Sequence, residues 1–99
     1  MKVFHITDKN AWNKAQKKGI YAGDTLESDG FIHCCLSAQI TGVLEKWFRG
    51  KSNLVVLEIE TDLLKSKVVF ENLEGGEEKF PHIYGPVNLE AITNWKNIG

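Results

Sequence analysis

Ninety-nine residues and 11.2 kDa leave room for one domain, residues 1–99, with a single modest core, since a chain of this size buries roughly 60–65% of its unfolded surface. The hydrophobic fraction of 42% and charged fraction of 25% are those of a folded soluble chain, and 12 basic against 13 acidic residues lack the basic surplus that holds phosphate backbones. No apolar run approaches the roughly 20 residues of a membrane span, and Met1 to His5 runs into a strand-like pattern without signal-peptide anatomy, so we expect a cytoplasmic protein engaging neither nucleic acid nor membrane, a monomer by default.

Val3-Phe4-His5-Ile6-Thr7 is rich in β-branched and aromatic residues and predicts a strand. Asp8 is placed to cap the next helix, where Ala11, Trp12 and Ala15 share a face and Gly19 supplies the stop. Residues 20–29, with Gly23, Asp24, Ser28 and Asp29, read as a surface loop. Gly30 to Leu36 predicts a second strand. Ser37 then caps a second helix, whose Ile40, Val43, Leu44, Trp47 and Phe48 follow the spacing of a core-facing stripe that Gly50 ends. Trp12, Trp47 and Phe48 are accordingly expected in the core, and Lys14, Lys17 and Lys18 on a solvated face.

Leu54 to Glu60 predicts a strand whose first half is buried on both faces, and Val68 to Glu71 another. Asn72 to Glu78, with Gly75-Gly76, reads as a turn or loop. Pro81 biases Phe80 away from helix, so Phe80 to Tyr84 is extended; Gly85-Pro86 turns the chain and Leu89 to Trp95 is a last strand. Helices in the first half and strands in the second predict an α+β fold, two helices packed on a mixed or antiparallel sheet that is split or strongly twisted.

Cys34 and Cys35 are adjacent, so in a strand they point to opposite faces and form no ordinary disulfide, a usage that fits a reducing compartment. The three histidines, His5, His33 and His82, each fall in a different predicted strand. Because side chains alternate, a core made by Phe4, Ile6, Ile32, Cys34 and Ile83 sends all three imidazoles to the opposite face. Thr7, Phe31, Cys35, Phe80 and Tyr84 share that face, which gives a cleft floor of imidazoles, rings and hydroxyls suited to a small ligand. The plain alternative for each histidine is a half-buried strand residue with its ring nitrogens bonded to backbone. Three chemistries compete for the cleft. A three-histidine metal site lacks any H-x-x-x-H or C-x-x-C anchor, so no metal is expected. A Cys35 nucleophile has only the i,i+2 neighbour His33 as base. A nucleotide-type ligand held by hydrogen bonds and stacking needs no metal.

Phe4-His5-Ile6-Thr7, Gly30-Phe31-Ile32-His33-Cys34, Leu57-Glu58-Ile59, Phe70-Glu71 and Phe80-Pro81-His82-Ile83-Tyr84-Gly85-Pro86 together resemble a bacterial family, domain of unknown function 952, in order over nearly the whole chain. The chain departs from the family pattern at Cys35, where serine is usual, and at Glu60, where aspartate is usual. The resemblance implies a remoter similarity to the ADP-ribosyltransferase superfold, which grips NAD between two small sheets. His5 in its His-x-Thr setting would then bond the NAD ribose with Thr7 in support, and Phe31 to Ser37 is similar to the motif that stacks on nicotinamide, departing from it where the His33 imidazole stands near the aromatic position. His82 stands where that superfold has glutamate. An imidazole offers no fixed negative charge, so Glu71, at a strand end, is the nearest rigid carboxylate, while Glu77 and Glu78 are loop charges. The site expected on this basis has His5, His33, His82 and Glu71 as catalytic groups and Thr7, Phe31, Cys35, Ser37, Phe80 and Tyr84 as ligand contacts. NAD is the implied substrate and a small nucleotide the implied partner. A non-catalytic nucleotide sensor, a metal site and a partner-binding scaffold are the alternatives.

Overall fold

In the computed structural model, which describes residues 1–23 and 25–98, the first segment forms strand β1 (Lys2–Asp8). Helix α1 (Lys9–Lys18) follows, with the Asp8 carboxylate accepting the Ala11 N–H at 2.7 Å. Gly19 closes the helix in the left-handed conformation at φ 84°, its N–H bonded to the Ala15 carbonyl, an ending for which glycine carries no Cβ penalty.

The segment 20–29 is more structured than its composition predicts. Ile20–Tyr21 is a short strand, β2, because Val87–Asn88 (β7) pairs with it, and Thr25–Asp29 is a one-turn helix, α2. Asp24 lies outside the described residues. The second predicted strand shrinks to Ile32–His33 (β3), continued by an isolated bridge at Cys35. Ser37 does not cap a helix; it opens a 3-10 turn (Ser37–Gln39) leading into α3 (Ile40–Trp47). The first bond there is made by Gln39, whose side-chain oxygen accepts the Leu36 N–H at 2.8 Å. Strands β4 (Leu54–Glu60), β5 (Lys67–Glu71), β6 (Phe80–Tyr84) and β8 (Ile92–Asn97) complete the chain. The last begins later than predicted because Leu89–Ala91 winds into a 3-10 turn.

All strand pairs are antiparallel, and the sheet is split into two three-stranded pieces, β1-β4-β8 and β3-β6-β5, beside the small β2-β7 pair. The fold is therefore α+β with antiparallel sheets, and the described residues hold three short α-helices rather than two. Strand β4 explains why Leu54 to Leu57 is apolar without alternation: it feeds two cores. Val55, Leu57 and Ile59 join Trp12, Ile32 and Ile83 in the larger core, whereas Leu54 and Val56 join Ile6 in a smaller one under Val43, Leu44 and Phe48 of the α3 segment. Trp12 is buried as predicted. Trp47 is not, standing 55% exposed, because the helix stripe is wider than the three-residue patch it covers. Lys14, Lys17 and Lys18 are exposed. No helix among the described residues is long and apolar enough to cross a membrane.

These placements predict opposite outcomes for two apolar truncations followed by urea unfolding. Leu57→Ala, fully buried in the larger core, costs about 2–5 kcal/mol, whereas Trp47→Ala costs about 1 kcal/mol or less. Equal losses would contradict the exposed placement of Trp47.

Candidate active site in the seam between the sheets

The two three-stranded pieces share the larger core and are joined along the backbone by one isolated bridge. Phe4 and Cys35 exchange backbone hydrogen bonds at 2.8 and 2.7 Å, and beyond this bridge the strands diverge into a cleft. His5 follows Phe4 and is 9% exposed. Its Nδ1 lies 2.5 Å from the His33 carbonyl oxygen and its Nε2 2.6 Å from the Tyr21 hydroxyl. A carbonyl only accepts, so Nδ1 carries the proton and donates; Nε2 then accepts the Tyr21 O–H. Burial supports this neutral tautomer, holding the imidazole down to about 4 against the opposing effect of the His33 carbonyl bond. Gly23 leaves room for the tyrosine: at φ +67°, a Cβ there would meet the Tyr21 hydroxyl at 3.0 Å.

His82, on β6, is 5% exposed and its Nδ1 lies 2.8 Å from Glu71 Oε2 on the neighbouring β5. Tyr84, two residues along β6, donates its hydroxyl to the same oxygen. The Tyr84 bond first, and the His82 bond second, hold the Glu71 carboxyl below the usual carboxylate range, so it is ionised. The carboxylate in turn raises Tyr84, which keeps its proton, and obliges His82 Nδ1 to be the N–H donor. His33 sits directly opposite His82 in the β3–β6 register. Its Nε2 lies 3.1 Å from Asp29 Oδ2 at the end of α2. Phe31 lies behind this group, stacked on His82 at 4.3 Å between ring centres and 4.7 Å from His33.

The cleft measures about 1290 Å³ and brings together most of the predicted site: His5, His33, His82 and Glu71, with Thr7, Phe31, Cys35 and Phe80 on its walls. Tyr84 joins through its bond to Glu71 rather than as a wall residue. Ser37 lies instead in a separate, smaller depression lined by Phe4, Ile40 and Trp95. Thr7 makes no bond to His5, whose support comes from Tyr21 and the His33 carbonyl.

His5 does not emerge on the open face that strand alternation predicts. Phe4 and Ile6 face the smaller core under α3, so His5 points to the same side as Val3 and the larger core, and it reaches the cleft only at the core's edge. Both its nitrogens are engaged, so the three rings do not converge on a common metal. Among the described residues no three His, Cys, Asp or Glu side chains form a metal-binding group. Cys35 is 2% exposed and burial pushes its thiol up to about 11, which leaves it no thiolate character for a nucleophile; burial also raises Cys34.

Sequence reading missed Tyr21, Asp29 and the rim. Tyr21 and Asp29 sat in a segment that reads as loop, and the only signal was the β-favouring Ile20-Tyr21 pair after a helix-ending glycine. Trp47 lines the cleft instead of the core. Across the mouth, the 72–79 loop is tied to the α3 side by Gln39, which donates to the Lys79 carbonyl at 3.0 Å and to Glu78 at 3.2 Å, and by a Lys46–Glu74 ion pair at 3.5 Å. Asn72 holds that loop in its turn, accepting the Glu74 and Gly76 N–H groups and donating to the Glu78 carbonyl.

The family profile described as "Protein of unknown function (DUF952)" matches residues 6–95, and the chain belongs to that family. The fold is similar to that of protein CC0527 from Caulobacter crescentus. Its X-ray structure superposes with a TM-score of 0.88 at 31% identity, covering 100% of this chain and 87% of that one. Its solution NMR structure gives a TM-score of 0.84 at 32% identity, covering 98% and 84%. No curated protein matches the chain.

The buried neutral His5 makes stability depend on pH with a definite sign. Unfolded chains bind the histidine proton below about pH 6.5 and the folded protein only near 4, so stability is intact above 6.5 and falls by roughly 3 kcal/mol as pH drops to about 4. The depressed Glu71 contributes in the same direction at lower pH, its share being lost below 4.5 as the carboxylate protonates. Urea midpoints across pH 4 to 7 test this, and a flat profile would exclude the neutral His5 assignment.

Proposed function

We propose that this family member binds NAD or a related phosphorylated nucleotide in the seam cleft and grips it through a ribose. The observation that carries the reading is the ionised Glu71 carboxylate, shared by His82 and Tyr84, in a cleft walled by rings. Ribose hydroxyls are donors that a carboxylate receives with charge-assisted bonds. The superfold that the motifs resemble uses a glutamate for this contact, and here β5 supplies the carboxylate beside the β6 position that His82 occupies. The cleft exceeds the roughly 300–1,000 Å³ typical of a drug-sized ligand and accommodates a dinucleotide.

Phe31 spends one face on His82, so stacking on a base falls to Phe80 and the exposed Trp47. The rim carries Glu74, Glu77 and Glu78 against Lys46 and Lys51, so affinity draws on stacking and hydrogen bonds more than on phosphate charge, and it changes little with salt. The buried free thiols fit a reducing, cytoplasmic setting.

A second reading, the non-catalytic nucleotide sensor, is favoured by one feature. His5 has both nitrogens committed within the protein and acts on a ligand only through Tyr21 and the His33 backbone. Turnover separates the two: release of nicotinamide from NAD, or of the leaving group from another bound riboside, marks an enzyme, and binding without any release marks a sensor.

An NMR titration with NAD, ADP-ribose and nicotinamide tests the binding. We expect shifts clustered at His33, His82 and Tyr84, and Glu71→Gln weakens ADP-ribose binding by roughly tenfold or more, the worth of a hydrogen bond to a charged group. Absence of shifts at millimolar ligand would overturn the nucleotide reading and leave the scaffold alternative.

A further inference from the structure

The β3–β6 register sets His33 and His82 directly opposite one another, with ring centres 5.3 Å apart at 74°. Cross-strand neighbours on one face are in contact, and two groups that both take positive charge are a poor choice for stability there. Each ring is nevertheless held by its own carboxylate, His33 Nε2 by Asp29 at 3.1 Å and His82 Nδ1 by Glu71 at 2.8 Å. A carboxylate on one nitrogen fixes the N–H on that side and presents the other nitrogen to the cleft. The presented atoms are His33 Nδ1 and His82 Nε2, and neither has a hydrogen-bond partner among the described residues. The structure thus holds two independently oriented imidazoles within reach of one small substrate.

That arrangement says something about the bond to be broken. Expelling nicotinamide from NAD needs no acid: the electron pair of the C–N bond neutralises the pyridinium, so at most one base is required to deprotonate the attacking water. A second oriented imidazole has work only where the leaving atom departs with a proton. We propose, resting on the ribose-binding reading above, that His33 and His82 are a general acid and general base pair that hydrolyses ribosides with an uncharged leaving group, either an O-glycoside of ADP-ribose or the N-glycoside of a neutral base. In the balanced step, water adds its oxygen to ribose C1′ and gives its proton to the neutral imidazole. The C1′–O or C1′–N bond breaks with its electron pair going to the leaving atom, which takes a proton from the imidazolium. The products are the free sugar and the protonated leaving group, and proton exchange through solvent resets the pair. The titratable groups touching the two rings are Asp29 and Glu71, with Tyr84 bonded to Glu71; these act as positioning residues.

The test uses the full chain with three probes: a peptide carrying ADP-ribose on serine oxygen, inosine, and NAD. Released ADP-ribose, hypoxanthine and nicotinamide are measured, and ADP-ribose affinity is measured separately by calorimetry. We expect the serine-linked probe or inosine to be hydrolysed faster than NAD, with a bell-shaped pH–rate profile. His33→Ala and His82→Ala each remove one limb and lower the rate roughly 10²–10⁴-fold. His33→Ala, at an exposed position, keeps its amide NMR spectrum and binds ADP-ribose within a few-fold of the parent. Asp29→Asn moves the His33 limb without abolishing turnover, which a merely structural role for Asp29 would not do. ADP-ribose binding with neither neutral probe hydrolysed would overturn the acid–base pair and leave the ribose reading standing. Absence of both binding and hydrolysis would overturn the ribose reading and the pair with it. Cleavage of NAD alone, or turnover indifferent to His33→Ala, would also overturn the pair.

Discussion

The two backbone bonds between Phe4 and Cys35 are the constraint on which the rest depends. They form the backbone bridge between sheet β1-β4-β8 and sheet β3-β6-β5, whose inner faces share the larger core, and the strands part beside it. A continuous sheet would have covered these groups with neighbouring backbone. A complete separation would have left His5 without the His33 carbonyl. One bridge gives both a fixed relation between the sheets and an open wedge beside it. The histidine bond across the wedge, His5 Nδ1 to the His33 carbonyl, repeats the linkage with a side chain. Burial keeps that imidazole neutral, as a donor and acceptor pair needs, so the same desolvation that makes His5 a poor base makes it a good strut.

The three histidines consequently do three different things, though they look alike in sequence. His5 is a structural link. His82 is buried against Phe31 and fastened to an ionised carboxylate. His33 is exposed and fastened to a carboxylate at the surface. What separates them is solvent access and the partner on the second nitrogen, properties of the assembled strands and of no single segment. The same logic disposes of Cys35. Its position on the cleft wall invites a nucleophile reading, but a thiol with so little access to water keeps its proton.

Much of the architecture was legible because it rests on local chemistry. The strand expected over Val3 to Thr7, found as Lys2–Asp8, the Asp8 cap, the Gly19 stop and the unbroken apolar run of Leu54 to Leu57 all follow from residue type and spacing. The α+β class followed from the order of elements. Errors gathered where a distant partner decides. Ile20-Tyr21 becomes a strand only because Val87-Asn88 lies alongside, and Trp47 leaves the core because the patch beneath its helix is narrow. Ser37 looked like a cap beside a helix, yet Gln39 makes the first bond and also reaches across to the 72–79 loop.

Composition and motif by themselves gave the α+β class and the membership of a family whose profile spans residues 6–95, and they singled out the imidazoles and Glu71 as candidates. Alternation in a strand determines a side chain's face relative to its neighbours, and that much is local. Which face is covered, and by what, depends on the other sheet and the helices packed on it. Only the tertiary structure therefore decided that Phe4 and Ile6 face a separate small core, that His5 is locked by Tyr21, and that His33 and His82 stand opposite each other with a carboxylate apiece. Hydrogen-bond partners far apart in sequence are chosen by strand register, and register is a property of two segments at once.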